Sequence, residues 1–332
     1  MNKNSIKIEE KIFQISTQAE FNELALEVFL FQYKKNSFYR SFIDLLGVPY
    51  KEVNEIYKIP FLPIGFFKSE RIIQDNLKSQ EVFLSSGTTG AIQSKHHVAD
   101  VALYTTSFSK AFELFYGKAS DYCIIALLPS YLEREGSSLI YMANDLIGKS
   151  QNTESGFYLN NMEELISKLL DLKNRNVKTL LIGVTYALLD LAERIDFSLS
   201  NTIIMETGGM KGKRKEMVRE ELHTVLCKSF GVSVIHSEYG MTELLSQGYS
   251  YGNGVFITPP WMKILIRDIN DPLSAAVSNK AGGINVIDLA NLYSCSFIAT
   301  QDLGKINEDG TFEVLGRFDN SDVRGCNLMA GL

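Results

Sequence analysis

The segment from Glu81 to Gly90, which reads EVFLSSGTTG, has the clearest chemical potential in the chain. Its apolar run, Val82 to Leu84, has strand composition and leads into a loop of small hydroxyl residues and glycines. Glycine allows a close backbone approach, and serine and threonine hydroxyls add hydrogen-bond donors with little bulk. Such a loop can direct several N–H groups and hydroxyls toward one polyphosphate. Taken alone, the loop is equally compatible with a surface turn, and it lacks the Gly-Lys-Ser/Thr of a P-loop.

Later segments carry residue types that suit the same kind of site. Glu238 to Glu243 reads EYGMTE, Gln301 to Gly304 reads QDLG, and Gly316 to Gly325 reads GRFDNSDVRG. Glycine-rich breaks follow apolar strand patterns at Gly208-Gly209 and at Gly240, as they do in the hydroxyl loop. Ligands of open α/β sheets bind beyond the carboxyl ends of the strands, so that separate loops share one crevice. The spacing therefore predicts one site built from several distant loops.

Strand and helix patterns alternate through the middle of the chain and would position these loops. Apolar runs predict buried strands, and helical patterns separate them; the runs are Tyr122–Leu128, Thr179–Val184, Thr202–Met205 and Val232–His236. This alternation predicts an α/β fold with a covered, mostly parallel sheet. Beyond Gly248 the helical patterns stop, and short strand patterns with Asn-Gly and Asp-Gly turns predict a small antiparallel β unit.

We expect three parts along the chain. Residues 1–55 are predicted to be a helical N-terminal region packed on the body, because apolar residues recur at helical spacing from Gln18 to Leu46. Residues 56–248 are predicted to form an α/β body that contains the hydroxyl loop and the Glu238–Glu243 segment. Residues 249–332 are predicted to form the smaller β unit and a C-terminal tail.

Composition restricts the class of protein. In 332 residues, 45% are hydrophobic and 22% charged, as in a globular domain, and the net charge of −6 argues against a nucleic-acid partner. The cysteines, Cys123, Cys227, Cys295 and Cys326, lack the C-x-x-C spacing of zinc or dithiol sites. Neither a signal peptide nor an apolar run of membrane-spanning length is present, so we expect a cytoplasmic protein without a membrane span. A mixed basic and acidic stretch at residues 211–221 is either a solvated helix face or a docking patch for an acidic partner.

In order, the hydroxyl loop, Tyr-Gly-x-Thr-Glu, Asp-Leu-Gly and Gly-Arg-x-Asp resemble the motifs of the adenylate-forming acyl-activating enzymes. Within that superfamily the chain most resembles the acyl-protein synthetase (LuxE) branch, a relative of phenylacetate–CoA ligase. Ile59–Ser69 (IPFLPIGFFKS) and Arg324–Met329 (RGCNLM) carry the closer resemblance. It implies the large-domain fold of that superfamily, in which the α/β body at residues 56–248 would bind the nucleotide and the acyl group. Related acyl-CoA ligases continue into a mobile C-terminal lysine domain, and because only a short tail follows Asp319, we expect that domain to be lacking.

The resemblance also implies ATP and Mg²⁺ as cofactors and assigns the residues that contact the phosphates. The β- and γ-phosphates would be held by Ser85, Ser86, Gly87, Thr88, Thr89 and Gly90. Lys95 could add a positive charge, at a longer spacing than in the Gly-x-Pro-Lys of relatives. Thr242 would contact the α-phosphate, and Glu243 would bind the metal. Magnesium suits such a site, because it usually takes only one or two carboxylate ligands. Taken singly, Glu243 could instead cap a helix.

A second set of residues would bind the adenosine. Tyr239 would stack on adenine, and the base would lie on the backbone of Gly208, Gly209 and Met210 beside Gly240. Asp302 would accept hydrogen bonds from the ribose hydroxyls, and Arg317 would approach the ribose or a phosphate. Taken singly, Asp302 could be a turn residue and Arg317 part of a surface salt bridge. His236 could line the acyl cavity or be structural, whereas His96 and His97 lack metal-ligand spacing and stay unassigned.

The function implied is ATP-dependent activation of a long-chain fatty acid, followed by transfer of the acyl group to a protein cysteine as a thioester. The acid and the α-phosphate are both anionic, so the site must neutralise charge and align the attack. Cys326 matches the acylated cysteine of the family, and Arg324 could favour its thiolate; an inert tail thiol is the alternative. An acyl-CoA reductase-like subunit or an acyl carrier protein is the expected partner. Alternatives are a subunit that loads CoA or a carrier protein, and a catalytically inactive nucleotide-binding scaffold.

Overall fold

The computed structural model describes residues 3–86, 92–128, 136–158, 161–208, 217–271, 273–274 and 280–318. The helices are α1 (Lys3–Ile12), α2 (Gln18–Lys35), α3 (Ser37–Leu45), α4 (Phe66–Ser69), α5 (Val101–Tyr116), α6 (Ser138–Ser150), α7 (Met162–Asn174), α8 (Thr185–Ala192) and α9 (Arg219–Phe230). The strands are β1 (Leu62–Pro63), β2 (Glu81–Leu84), β3 (Lys95–Val98), β4 (Cys123–Leu127), β5 (Gly156–Phe157), β6 (Thr179–Val184), β7 (Thr202–Thr207), β8 (His236–Tyr239), β9 (Gly248–Ser250), β10 (Val255–Phe256), β11 (Met262–Arg267), β12 (Gly282–Asp288), β13 (Phe297–Ile306) and β14 (Phe312–Arg317).

The central sheet has the strand order β5-β4-β6-β7-β8-β9, and every pairing from β5 to β8 is parallel. Only β9, at one edge, runs antiparallel to its neighbour. Every residue of β4 and β6 is buried, as expected for strands covered on both faces. The predicted α/β fold with a covered, mostly parallel sheet is confirmed. The order places the carboxyl ends of β7 and β8 side by side, and these strands end at Thr207 and Tyr239.

The second sheet has the order β10-β14-β13-β12-β11 with antiparallel pairing, and β1 adds in parallel to β13. The predicted antiparallel β unit is therefore confirmed. Its longest strand, β13, runs without a break from Phe297 to Ile306. Asp302 lies within this strand and pairs in register with Arg317. The reading of Asp302 as a turn residue is wrong, because its backbone belongs to the ladder.

One predicted strand and one predicted helix differ most from the observed limits. The strand expected at Val232–His236 begins at His236, where pairing with Met205 of β7 starts, and Val234 is 39% exposed. The strand therefore contains Glu238 and Tyr239, which were expected in a loop. The helical pattern from Gln18 to Leu46 breaks at Asn36, whose extended backbone ends α2 and whose side-chain oxygen accepts the Tyr39 amide to start α3.

The N-terminal helices are anchored by hydrogen bonds to the segment between β12 and β13. The Asn36 side chain donates to the Ser294 carbonyl at 3.0 Å, and the buried Gln32 amide donates to the carbonyls of Asn291 and Leu292 at 3.0 and 2.8 Å. Buried amides need such partners, so this contact fixes α2 and α3 on the second sheet. In the described part of the chain, no helix combines the length and apolar character that crossing a membrane requires.

Asp288 ends β12 and ties the second sheet to the loop that follows β8. Its carboxylate is fully buried and accepts the amides of Leu245 and Ser246 at 2.7 and 3.0 Å and the Ser246 hydroxyl at 2.5 Å. Burial raises the pKa of Asp288 to about 6, and these donors limit the rise. At neutral pH the group is therefore an ionised acceptor that faces donors only.

We expect Asp288→Asn to destabilise the protein by about 2–3 kcal/mol, because an amide N–H₂ would face backbone donors where an acceptor is needed. The measurement is the urea midpoint of unfolding together with the melting temperature. Asp309→Asn is the matched control, since Asp309 is an exposed aspartate that also accepts a backbone amide and a hydroxyl from one neighbour, Thr311. Equal midpoints for the two variants would contradict the structural role of Asp288.

Candidate active site

The hydroxyl loop is carried by the hairpin of β2 and β3, which closes at Ser85 and Ser94. The Ser85 amide donates to the Ser94 carbonyl at 3.1 Å, and the Ser94 amide donates to the Ser85 hydroxyl oxygen at 2.9 Å. Ser86 and Lys95 are exposed beside this closure. The two strands therefore fix both ends of the predicted phosphate loop. The predicted site residues outside the described part of the chain are Gly87, Thr88, Thr89, Gly90, Gly209, Met210, Asp319 and Cys326.

Thr242 and Glu243 lie in the turn that follows β8, against this hairpin. The Glu243 side chain is only 5% exposed, and the Ser94 hydroxyl is hydrogen-bonded to its carboxylate. Burial raises the pKa of Glu243, whereas the Ser94 bond and the positive charges of Arg317 and Lys68 lower it. No helix begins here, so Glu243 is not a helix cap. The structure thus brings the Thr-Glu pair and the base of the hydroxyl loop together.

The backbone of the same turn is held by two buried side chains. His96, on β3, has its Nδ1 atom 2.8 Å from the Thr242 carbonyl oxygen and its Nε2 atom 3.0 Å from the Asn291 amide oxygen. Asn291 in turn donates to the Glu243 carbonyl at 2.8 Å. Both side chains are fully buried. Each of the two motif residues therefore has its carbonyl fixed by a side chain from a distant part of the sequence.

Tyr239, Asp302 and Arg317 form a second cluster between the two sheets. The Tyr239 hydroxyl donates to Asp302 Oδ2 at 2.9 Å, and Arg317 Nε donates to Asp302 Oδ1 at 3.0 Å. Tyr239 is buried, and burial and the nearby carboxylate both raise its pKa. The Arg317 side chain is 73% exposed, so the salt bridge lies at the surface. Each Asp302 oxygen retains a lone pair, which could accept from a ligand.

Gly208 and Gly240 follow the adjacent strands β7 and β8, as predicted. Gly208 has a φ of 69°, which favours glycine. A Cβ at Gly240 would collide with the Glu238 carboxylate, which also accepts the Thr207 hydroxyl at 2.5 Å. The glycine at position 240 therefore allows the Glu238 side chain to pack against the end of β8.

His236 lies among aromatic side chains on the face of the central sheet that α5 covers. Its Nδ1 atom is 3.2 Å from the Tyr116 hydroxyl, and the rings of Tyr116 and Tyr251 lie 5.7 Å from the imidazole. Burial lowers the pKa of His236. The histidine is thus packed and hydrogen-bonded. A role in lining the acyl cavity stays a prediction.

A magnesium ion fits the residues present if it arrives with a polyphosphate. Among the described residues, no cluster of three or more histidine, cysteine or acidic side chains could form a protein-only metal site. Glu243 offers one buried carboxylate beside the hydroxyl loop. Magnesium commonly takes one or two carboxylates and completes its shell with waters and substrate phosphates. A single carboxylate such as that of Glu243 would therefore be enough protein ligation for a magnesium ion bound together with a polyphosphate.

Three residues that contact the Thr-Glu pair are not predicted from the sequence: Ser94, His96 and Asn291. The strand pattern contained a signal for two of them, because side chains alternate between faces along a strand. Ser94, His96 and Val98 are buried, whereas Lys95 is exposed and His97 is half-buried. Because alternate residues of a strand share a face, counting back from the apolar Val98 would have placed His96 on the buried face and His97 on the other face. Asn291 follows a strand in an irregular segment, and no sequence pattern marks it.

Solved structures with the same fold are adenylate-forming enzymes. An ATP-bound MatB from Rhodopseudomonas palustris is 16% identical with a TM-score of 0.53, covering 71% of this chain and 47% of its own. An ATP-bound RpMatB-BxBclM chimera is 17% identical with a TM-score of 0.54 and the same coverage. This chain therefore spans about half the length of those proteins. An open 2-hydroxyisobutyryl-CoA ligase in complex with 2-HIB-AMP and CoA is 11% identical with a TM-score of 0.64, covering 92% of this chain and 77% of its own.

No curated protein sequence resembles the chain at a significant level. The sequence family described as "Acyl-protein synthetase, LuxE" matches residues 9–331, which is nearly the whole chain. The match includes all the segments that build the candidate site. The chain therefore belongs to the acyl-protein synthetase (LuxE) family.

Proposed function

We propose that the protein uses ATP to convert a long-chain fatty acid into an acyl-adenylate and then transfers the acyl group to a protein cysteine as a thioester. The observation that carries this proposal is the meeting of distant motifs. Glu243 contacts Ser94 at the base of the hydroxyl loop, and Tyr239 contacts Asp302, which contacts Arg317. Membership of the acyl-protein synthetase family supports the same chemistry.

In the first half-reaction a carboxylate oxygen of the acid attacks the α-phosphorus of ATP. A new P–O bond forms and the bond to pyrophosphate breaks. Ser85, Ser86 and the following loop residues would bind the β- and γ-phosphates, and Thr242 would contact the α-phosphate. Magnesium, when bound, would neutralise phosphate charge, and Glu243 would hold it. This arrangement would offset the electrostatic repulsion between the carboxylate of the acid and the phosphates of ATP.

The adenosine would be bound by the second cluster. The free lone pairs of Asp302 would accept the ribose hydroxyls, and the exposed Arg317 would reach the ribose or a phosphate. Adenine would stack on Tyr239 and lie against the backbone of Gly208 and Gly209. The hydrogen bond from Tyr239 to Asp302 would then orient both residues for one ligand.

In the second half-reaction the Cys326 thiolate would attack the carbonyl carbon of the acyl-adenylate and release AMP. The other cysteines are poor candidates, because thiolates are the reactive form. Cys123 and Cys295 are buried, and burial raises the pKa of Cys295 to about 12. Burial also raises the pKa values of Cys123 and Cys227. The thioester would pass to an acyl-CoA reductase-like subunit; CoA or an acyl carrier protein is the alternative acceptor.

We expect Glu243→Gln to reduce Mg²⁺-dependent ATP–pyrophosphate exchange by about 10²–10³-fold, because a neutral amide is a poor magnesium ligand. The fold should be retained, since glutamine is isosteric and can still bond to Ser94. The assay is fatty-acid-dependent exchange across a panel of chain lengths. Glu113→Gln, on the exposed side of α5, is the control. Near-normal exchange by folded Glu243→Gln would remove Glu243 from the metal site.

We expect Cys326→Ser to form acyl-adenylate normally but to lose hydroxylamine-sensitive labelling by radioactive fatty acid, because an alcohol is a far weaker nucleophile than a thiolate at neutral pH. The measurement is protein-bound label beside pyrophosphate exchange, with Cys227→Ser as the control. Equal thioester labelling of Cys326→Ser and wild type would exclude Cys326. Robust exchange with no labelling of any protein would instead favour CoA or a carrier protein as acceptor.

A further inference from the structure

His96 connects the two loops that would bind the phosphates. It lies two residues after Ser94 on β3, so it belongs to the hairpin that carries the hydroxyl loop. Its imidazole reaches the Thr242 carbonyl at 2.8 Å, across 146 residues of sequence. Ser94, from the same hairpin, bonds to the Glu243 carboxylate. The hairpin therefore holds the Thr-Glu pair at both its backbone and its side chain.

Asn291 completes this connection from the second sheet. It lies beside the imidazole and donates to the Glu243 carbonyl at 2.8 Å. Its own carbonyl accepts from Gln32 of α2 at 3.0 Å. His96 and Asn291 are fully buried and so cannot contact a ligand from solvent directly. Their contacts are with the backbone of residues 242 and 243.

We propose that His96 is a positioning residue for adenylate formation, which fixes Thr242 and Glu243 relative to the hydroxyl loop through its hydrogen bond to the Thr242 carbonyl. The inference rests on the proposed function, in which these loops bind different phosphates of one ATP. A displacement of about 1 Å between such groups can cost about 10²-fold in rate. The hydrogen bond from His96 to Thr242 would restrict such a displacement before ATP binds.

The bond to Thr242 is the contact on which the inference depends. Both ring nitrogens of His96 face oxygens that only accept, so a neutral ring can donate to one of them; we assign its proton to Nδ1, because the Thr242 carbonyl oxygen is nearer, at 2.8 Å, than the Asn291 amide oxygen, at 3.0 Å. Burial lowers the pKa of His96 to about 4, so the neutral ring has this one proton at neutral pH. Nε2 then has none to donate to the Asn291 amide oxygen. A substitution that keeps a donor at the Nδ1 position should therefore preserve the function, whereas one that removes it should not.

The experiment compares His96→Asn, His96→Gln and His96→Leu. The asparagine amide lies near the Nδ1 position and can donate to Thr242; the glutamine amide extends toward the Nε2 position, and leucine has no donor. His97→Leu is the control, because the adjacent His97 is half-buried and bonds to Ser79 at 3.0 Å instead. The readouts are kcat and the KM values for ATP and Mg²⁺ in pyrophosphate exchange, with melting temperatures.

We expect His96→Leu and His96→Gln to lower kcat/KM for ATP by about 10–100-fold, as for residues that orient a ligand-binding group. His96→Asn should retain at least a third of wild-type kcat/KM, and His97→Leu should match wild type. If His96 had only a structural role, its substitution would lower the folded fraction of the protein, and asparagine would not restore kcat/KM. If His96→Leu does not fold, the comparison of asparagine with glutamine decides. Equal kinetics of those two variants would overturn the proposal.

Amide hydrogen exchange provides a readout that needs no activity. We expect peptides covering residues 239–246 to exchange faster in His96→Gln than in wild type, and no change in His97→Leu. Unchanged protection in His96→Gln would overturn the connection between the loops. Absence of pyrophosphate exchange in wild type with every acid would refute the proposed function alone, because hydrogen exchange would still report on the bond from His96 to Thr242.

Discussion

The site depends on one constraint, which is that the polar groups buried between the two sheets must be hydrogen-bonded. Asp288, Asn291 and His96 are fully buried, and their partners are in the loop after β8. An unpaired buried polar group costs about 1–3 kcal/mol, so each bond favours one arrangement of that loop over its alternatives. The hydrophobic core supplies stability, whereas these bonds specify where residues 242–246 lie.

This constraint explains why the motifs of the candidate site can be so far apart in sequence. The central sheet delivers Tyr239 and Glu243 at the end of β8, and the second sheet delivers Asp302 and Arg317 from β13 and β14. Neither sheet alone carries all the residues of the candidate site. Polar contacts between the two sheets bring these residues together, and the hydrogen bond from Tyr239 to Asp302 joins positions that are 63 residues apart in the sequence.

Much of this organisation could be predicted from the sequence. The β4 and β6 runs are continuous and apolar, so their strands are evident, and β6 has the predicted limits. The strand β8 was placed too early, because Val232–Ile235 is apolar although ladder pairing begins only at His236. Asn291 could not be found at all, since its importance arises from a fold that brings it to His96 across 195 residues. Local sequence patterns reveal the periodicity of helices and strands, whereas contacts such as that between His96 and Asn291 follow from how the sheets pack together.

The contacts of the N-terminal helices have a consequence for synthesis of the protein on the ribosome. Gln32 finds its partners at Asn291, Leu292 and Ser296, and β1 pairs with β13 at Ile298 and Ala299. During translation, α2 and β1 therefore emerge long before the residues with which they form hydrogen bonds. Contacts between such distant residues form slowly, and exposed unpaired segments promote aggregation in the meantime. The nascent chain must remain incompletely folded, with its first helices lacking their partners, until nearly three hundred residues have been made.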